Sequence, residues 1–191
     1  MTPLIAGLVL FLGLHSVRIV ADPWRESVIA RIGRNPWRAL YSIVSLAGFA
    51  LLVWGYGQAR LDPVVVWSPP AWTRHVTSLL VLPAFVLIVA GNMRGTRIKA
   101  AVGHPMLLGT KLWAAAHLVS NGMLADIVLF GSFLVWAIVD YASSRRRDRA
   151  AGTVYPPGTS GRDATAIAIG TAAWFVFGFW LHAPLIGVRP Y

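Results

Sequence analysis

Apolar residues gather in six stretches, each bounded by charges or turn residues. A helix needs about 20 mostly apolar residues to cross the roughly 30 Å hydrocarbon core of a bilayer, and most of these stretches have that length. The first runs from Pro3 to Val20 and ends at Asp22-Pro23; the second runs from Leu40 to Gln58 and closes at Arg60-Leu61-Asp62-Pro63. The third, His75 to Gly91, carries Pro83, where a kink is expected because neighbouring groups must satisfy the freed carbonyl. The fourth, Pro105 to Ser120, contains Lys111, and the fifth, Met123 to Tyr141, follows after only Asn121-Gly122, so the two should form a tight helical hairpin. The sixth, Ala164 to Ile186, is preceded by Asp163, an expected N-cap. The pattern predicts an all-α, polytopic membrane helix bundle of about six transmembrane helices, forming one domain over 1–191.

Composition and charge sharpen that picture. The chain is 57% hydrophobic and only 13% charged, with a mean hydropathy of +0.63, which excludes most soluble enzyme folds of this size. The 17 Lys and Arg against 7 Asp and Glu would in another setting suggest nucleic acid, but their positions argue otherwise. Thirteen lie in three alternate connections: Arg18, Arg25, Arg31, Arg34 and Arg38; Arg94, Arg97 and Lys99; and Arg145, Arg146, Arg147, Arg149 and Arg162. The opposite side holds Arg60, Arg74 and Arg189. The positive-inside bias then places both termini outside the cytoplasm, which in a bacterium means the periplasmic side of the inner membrane, with the arginine run from Arg145 to Arg149 as an anchor to anionic headgroups. No nucleic-acid partner is needed. The first stretch has no basic residue before it, unlike a signal peptide, and is expected to be retained. The absence of cysteine removes disulfides, thiolate nucleophiles and iron–sulfur clusters, so any metal must lean on His or carboxylate.

Ionisable groups at depth in a bundle normally face its interior, where they pair or work. Here they are His15, Arg18, Lys111, His117, Asn121, Asp126 and His182, with His75 and His104 near the boundary. His15 and Arg18 share a helical face, so a haem iron on His15 could have a propionate at Arg18; equally, His15 could bond another helix while Arg18 snorkels. Trp113, His117 and Asn121 recur at i, i+4, i+8, and the short turn brings His117 level with Asp126, a carboxylate that could orient a metal-bound imidazole or simply bond it. His104 and His117 are separated by about 220° of helix rotation and should not bind one iron from the same side. Lys111 returns to the face of His104, where it could meet a propionate or headgroup, or snorkel. Depth leaves two partners for His117: His15, mismatched by about 10 Å at 1.5 Å per residue, and His182, a closer match.

The segments Leu12-Gly13-Leu14-His15-Ser16-Val17-Arg18, Gly103-His104-Pro105 and Lys111-Leu112-Trp113-Ala114-Ala115-Ala116-His117-Leu118-Val119-Ser120-Asn121-Gly122, in this order and spacing, resemble the NnrU family of bacterial membrane proteins. The family is named for an association with nitrite and nitric oxide reduction, and it is similar to the plant 15-cis-zeta-carotene isomerases, membrane enzymes that use haem b in a cis–trans isomerisation. The resemblance implies haem b, with axial ligands and catalytic positions at His15 and His117, a further pattern histidine at His104, and a polyene or nitric oxide as ligand. It favours His15 over His182. Where the isomerase has a cysteine one turn before its second axial histidine, this chain has Ala114, so a mechanism needing that thiolate is excluded.

Two other readings compete. A non-catalytic assembly factor for a respiratory or denitrification membrane complex needs no cofactor. Gly103-His104-Pro105-Met106-Leu107-Leu108-Gly109 resembles the His-Pro-x-x-x-Gly segment of isoprenylcysteine methyltransferase-like enzymes, which bind S-adenosylmethionine, but the stretch from His182 to Tyr191 lacks the acids those enzymes carry.

Overall fold

The computed structural model describes residues 1–190. Nine α-helices make up most of the described chain: α1 (Thr2–Val20), α2 (Asp22–Ile32), α3 (Arg34–Ala59), α4 (Thr73–Asn92), α5 (Arg97–Val102), α6 (Pro105–Ser120), α7 (Leu124–Ala150), α8 (Ser160–Val176) and α9 (His182–Ile186). A π-helical turn, Phe177–Leu181, joins the last two. Five helical stretches are long and apolar enough to cross a membrane: α1, α3, α4, α7 and Ser160–Ile186. Their large apolar side chains point outward, with Val9, Ile43, Leu46, Leu79 and Val135 all more than 60% exposed, whereas Ala84, Ala90, Ala114, Ala116, Ala137 and Ala166 are fully buried. That inversion suits lipid as the surrounding solvent, where helices associate through small residues and close backbone approach. The chain is a multi-pass membrane protein.

Contacts divide the chain into two compact units. The first comprises Met1–Val66 and Met123–Ser132. Here α1 and α3 run antiparallel along a seam of glycines. A Cβ on Gly7 would lie 2.5 Å from Leu52 N, one on Gly48 would lie 3.0 Å from Phe11 N, and one on Gly55 would meet the backbone of Pro3 and Leu4. As the α1 number rises the α3 number falls by the same amount, so Ser45 stands level with Leu14 and His15. The short α2 touches both helices, and Trp24 meets Trp37 edge-on at 6.1 Å.

The second unit comprises Trp67–Gly122 and the described residues from Phe133 onward. α4 lies between α6 and α8. α6 follows α4 in the opposite direction, from Met106 against Gly91, through Gly109 against Ala84 and Ile88, to the Thr77 hydroxyl, which donates to Ala116 O at 2.8 Å. Gly170 of α8 admits the Val86 backbone. Pro83 stands inside α4, which continues on both sides of it.

Several boundaries differ from the sequence expectation. The stretch between the first two apolar segments is helical as α2, and α3 begins at Arg34 rather than Leu40. Gly33, at φ +89°, turns the chain between them. α7 continues past Tyr141 to Ala150, supported by contacts one turn apart: Ser144 donates to Asp140, and Arg147 donates to Ser143 and Ser144. Thr159, not Asp163, caps α8, accepting from Arg162 N, while Asp163 accepts from Ile98 N. Thr159 holds the better cap because its own N–H is pinned to Gly95 O at 3.0 Å, which fixes the chain's extended approach to the helix. The last apolar segment is interrupted by the π-helical turn; Pro184, four residues after Trp180, has no N–H to return to the Trp180 carbonyl, and the helix widens there.

Candidate functional site

His15 lies in the first unit, part-buried near the end of α1. Its Nδ1 sits 2.7 Å from Phe11 O. A carbonyl can only accept, so Nδ1 carries the proton and, in the neutral ring, the lone pair is on Nε2. Phe11 (4.3 Å between ring centroids) and Tyr41 (5.3 Å, edge-on) flank the imidazole. At the same level on α3, the Ser45 hydroxyl oxygen is buried and has no hydrogen-bond partner, although a helical serine commonly returns its hydroxyl to the carbonyl four residues back. Arg18, one turn beyond His15, is exposed.

Asp126 belongs to the same unit and is 4% exposed. Tyr56 donates to its Oδ1 at 2.6 Å, and Met123 N donates to its Oδ2 at 3.2 Å. The carboxylate thus satisfies an orphan N–H at the start of α7 and ties that start to α3. Arg60 stands 5.6 Å over the Tyr56 ring.

His117 lies in the second unit. Its Nδ1 is 2.8 Å from Trp113 O, which fixes the same tautomer as in His15. The Trp113 indole lies 5.2 Å from the imidazole and meets Phe133 edge-on. Asn121 donates to His117 O at 2.8 Å, satisfying one of the last carbonyls of α6. Ala114, the position of the isomerase cysteine, is fully buried. His182, half-buried at the start of α9, also places its Nδ1 on a carbonyl, but on one six residues ahead, Val188 O at 2.7 Å.

His104 is held the other way round. Its Nε2 lies 2.9 Å from Asp148 Oδ2, and Tyr155 donates to the same oxygen at 2.7 Å, with its own oxygen 3.2 Å from the imidazole. Nε2 therefore carries the proton. Arg145 approaches the carboxylate at 3.6 Å. Burial and the neighbouring Asp148 charge push the Tyr155 phenol up to about 12, so it remains a donor throughout the ordinary pH range. Gly103 makes the geometry possible: at φ +73° it centres a three-residue turn closed by His104 N and Val102 O at 2.9 Å, and Pro105 opens α6. A Cβ there would meet Arg145 at 2.6 Å. Gly103→Ala is accordingly expected to cost about 2 kcal/mol, from strain plus displaced contacts, and to lower the thermal midpoint of the purified protein. Lys111, one helical repeat on, sits 3.8 Å over the Tyr141 ring, and Tyr141 donates to Val102 O.

The predicted site residues thus fall into separate settings. His15 and Arg18 share the end of α1; Asp126 pairs with Tyr56; His117 and Asn121 share the end of α6; His104 and Lys111 belong to a polar cluster built by α6, α7 and the loop before α8. Sequence reasoning missed Ser45, Tyr56, Asp148 and Tyr155. Asp148 carried a signal, being the one acid within the arginine run; Tyr155, 51 residues from His104, and Tyr56, 70 residues from Asp126, carried none. Among the described residues, no three side chains of His, Cys, Asp or Glu gather as a metal-binding group. Gly109 of the His-Pro-x-x-x-Gly segment has a packing role, since a Cβ there would lie 2.7 Å from Ala84 O.

No curated protein and no solved structure matches the chain. A family model described as NnrU protein matches residues 3–190, nearly the whole sequence, and the chain belongs to the NnrU family.

Proposed function

We propose that this chain is a haem-b protein of the bacterial inner membrane, with His15 and His117 as axial ligands. The observation that carries the reading is the shared tautomer. Each imidazole donates Nδ1–H to the carbonyl one turn back, and a histidine that binds iron through Nε2 is ordinarily oriented by such a bond from its other nitrogen. Porphyrin supplies four donors of its own, so two histidines suffice, and no three-ligand cluster of the kind lacking among the described residues is required. The donor set fits. The orphaned Ser45 hydroxyl, level with His15, is a polar group that a ligand at that depth would satisfy. His104, with the opposite tautomer and a carboxylate partner, acts as a positioning residue for the start of α6. Arg18 and Lys111 supply cations for propionates. Asn121 holds the end of the helix that carries His117, and Asp126 fixes the start of the next.

The same reading takes α6 as a sixth crossing. Its 16 residues span about 24 Å, and it follows α4 from Gly91 to Thr77. Six crossings return both termini to one side, and the three arginine-rich connections make that side the periplasm. Haem b, if held by His15 and His117, would supply one-electron chemistry, and a small ligand such as nitric oxide or the double bond of a polyene would reach the iron only if one of the two imidazoles released it. The chain's own part is to fix two imidazoles, exclude water with apolar helices and balance the propionates. The activity proposed is isomerase-like or a nitric-oxide-linked redox role.

A visible spectrum of detergent-purified protein tests the proposal. The expected result is a Soret band that shifts on reduction, altered or lost in both His15→Ala and His117→Ala and kept in His182→Ala. Loss in His182→Ala but not in His15→Ala would transfer the ligand role. Protein that is folded but colourless after haem is supplied would overturn haem binding and favour the assembly-factor reading.

A further inference from the structure

The connection from Val20 to Arg38 links two membrane-spanning helices, so it lies at a membrane face. Its central helix, α2, has 11 residues, too few to cross, and none of them is buried. Its acids are already used: Asp22 pairs with Arg25 at 3.2 Å, and Glu26 pairs with the same guanidinium. Arg18, Arg31, Arg34 and Arg38 are all exposed and have no acidic partner among the described residues. Beside them stand exposed apolar groups, Val20, Trp24 and Ile32. Arg31 follows Trp24 by seven residues, about two turns, and so shares its face. The Trp24 ring is braced against Trp37, and Trp37 lies 6.4 Å from Tyr41. Arg31 and the braced Trp24 on a helix too short to cross, with Arg34 and Arg38 in the first turns of α3 and Arg18 in the last turn of α1, form an interfacial surface with a strong excess of positive charge.

We propose that α2 and the first turns of α3 form a docking surface for anionic phospholipid headgroups, with Arg31, Arg34 and Arg38 on the phosphates and Trp24 and Ile32 at the acyl boundary. Charge complementarity selects this occupant, since the leaflet carrying anionic lipid is the partner that a membrane-embedded chain meets at this height. The assignment does not depend on haem.

The test uses the full chain in detergent, delipidated and then titrated with phosphatidylglycerol or phosphatidylcholine, with lipid retention read by native mass spectrometry and stability by thermal melting. Phosphatidylglycerol is expected to be retained preferentially and to raise the melting midpoint, and the preference should weaken in 0.5 M salt, because the Debye length falls from about 10 Å at 0.1 M towards about 3 Å at 1 M and exposed charges are screened. The triple variant Arg31→Gln, Arg34→Gln, Arg38→Gln should lose about a hundredfold in apparent affinity, each arginine near a charged surface being worth about fivefold. Glutamine keeps helix propensity, and far-UV circular dichroism checks that the variant is folded. Arg74→Gln with Arg189→Gln removes two exposed charges assigned to the opposite side of the membrane and should leave most of the preference intact. Equal retention of both lipids by the wild type, an unchanged preference in the triple variant, or an equal loss in the control pair would overturn the proposal. So would stabilisation by inorganic phosphate to the same extent, or RNA binding as tight as lipid and lost in the same variant.

Discussion

Gly55→Leu is expected to prevent α1 from seating on α3 and to cost about 3 kcal/mol or more, read as a fall in the thermal midpoint and in the yield of monodisperse protein from detergent. The reason is what a Cβ meets there. The nearest atoms are backbone, with Pro3 C at 2.5 Å and Leu4 Cα at 2.7 Å, and backbone cannot swing aside as a flexible side chain can. Without a hydrophobic drive between helices in lipid, the seam depends on close contact, which a separation of even an ångström forfeits. Gly57 on the same helix is the matched control. A Cβ there meets nothing within 4 Å, so Gly57→Leu should change stability by no more than about 0.5 kcal/mol or raise it slightly through helix propensity. Equal losses at both positions would mean that general helix chemistry, not the seam, is being measured.

Asp126→Ala is expected to destabilise by about 2–4 kcal/mol. The carboxylate is nearly inaccessible, and its removal strands the Tyr56 hydroxyl and the Met123 N–H, each of which then lacks an acceptor in a dry setting. Asp126→Asn keeps one oxygen and should lose roughly half as much. A double-mutant cycle with Tyr56→Phe separates the pair from the cap: coupling of about 1 kcal/mol or more is the expected outcome, and additivity would show that the 2.6 Å contact contributes little. The measurement is unfolding in detergent, followed by circular dichroism. This variant also distinguishes roles, because a folded Asp126→Asn protein with an unaltered Soret band would confine the residue to fastening α7.

The resemblance to NnrU proteins was legible because its residues are read in order along the chain, and the family model matches residues 3–190. The local reason for Gly103-His104-Pro105 was only half legible. Pro105 as the first helical residue follows from its fixed φ and missing N–H. The turn that requires Gly103, and the Asp148 and Tyr155 groups that claim His104, depend on helices and a loop that no local pattern aligns.

The sequence by itself determined that the chain lives in a bilayer, where its long apolar stretches fall, and on which connections the arginines collect. Those properties are sums over consecutive residues, since transfer to hydrocarbon and attraction to a charged leaflet act on a segment whatever it packs against. Tertiary structure decided which glycines form the α1–α3 seam, which threonine caps α8, and which imidazole is held by a carboxylate rather than by its own helix. Those outcomes depend on pairs of groups 44 or more residues apart, or on which face of one helix meets another, and a hydrogen bond or a backbone contact is settled only when both members are in place.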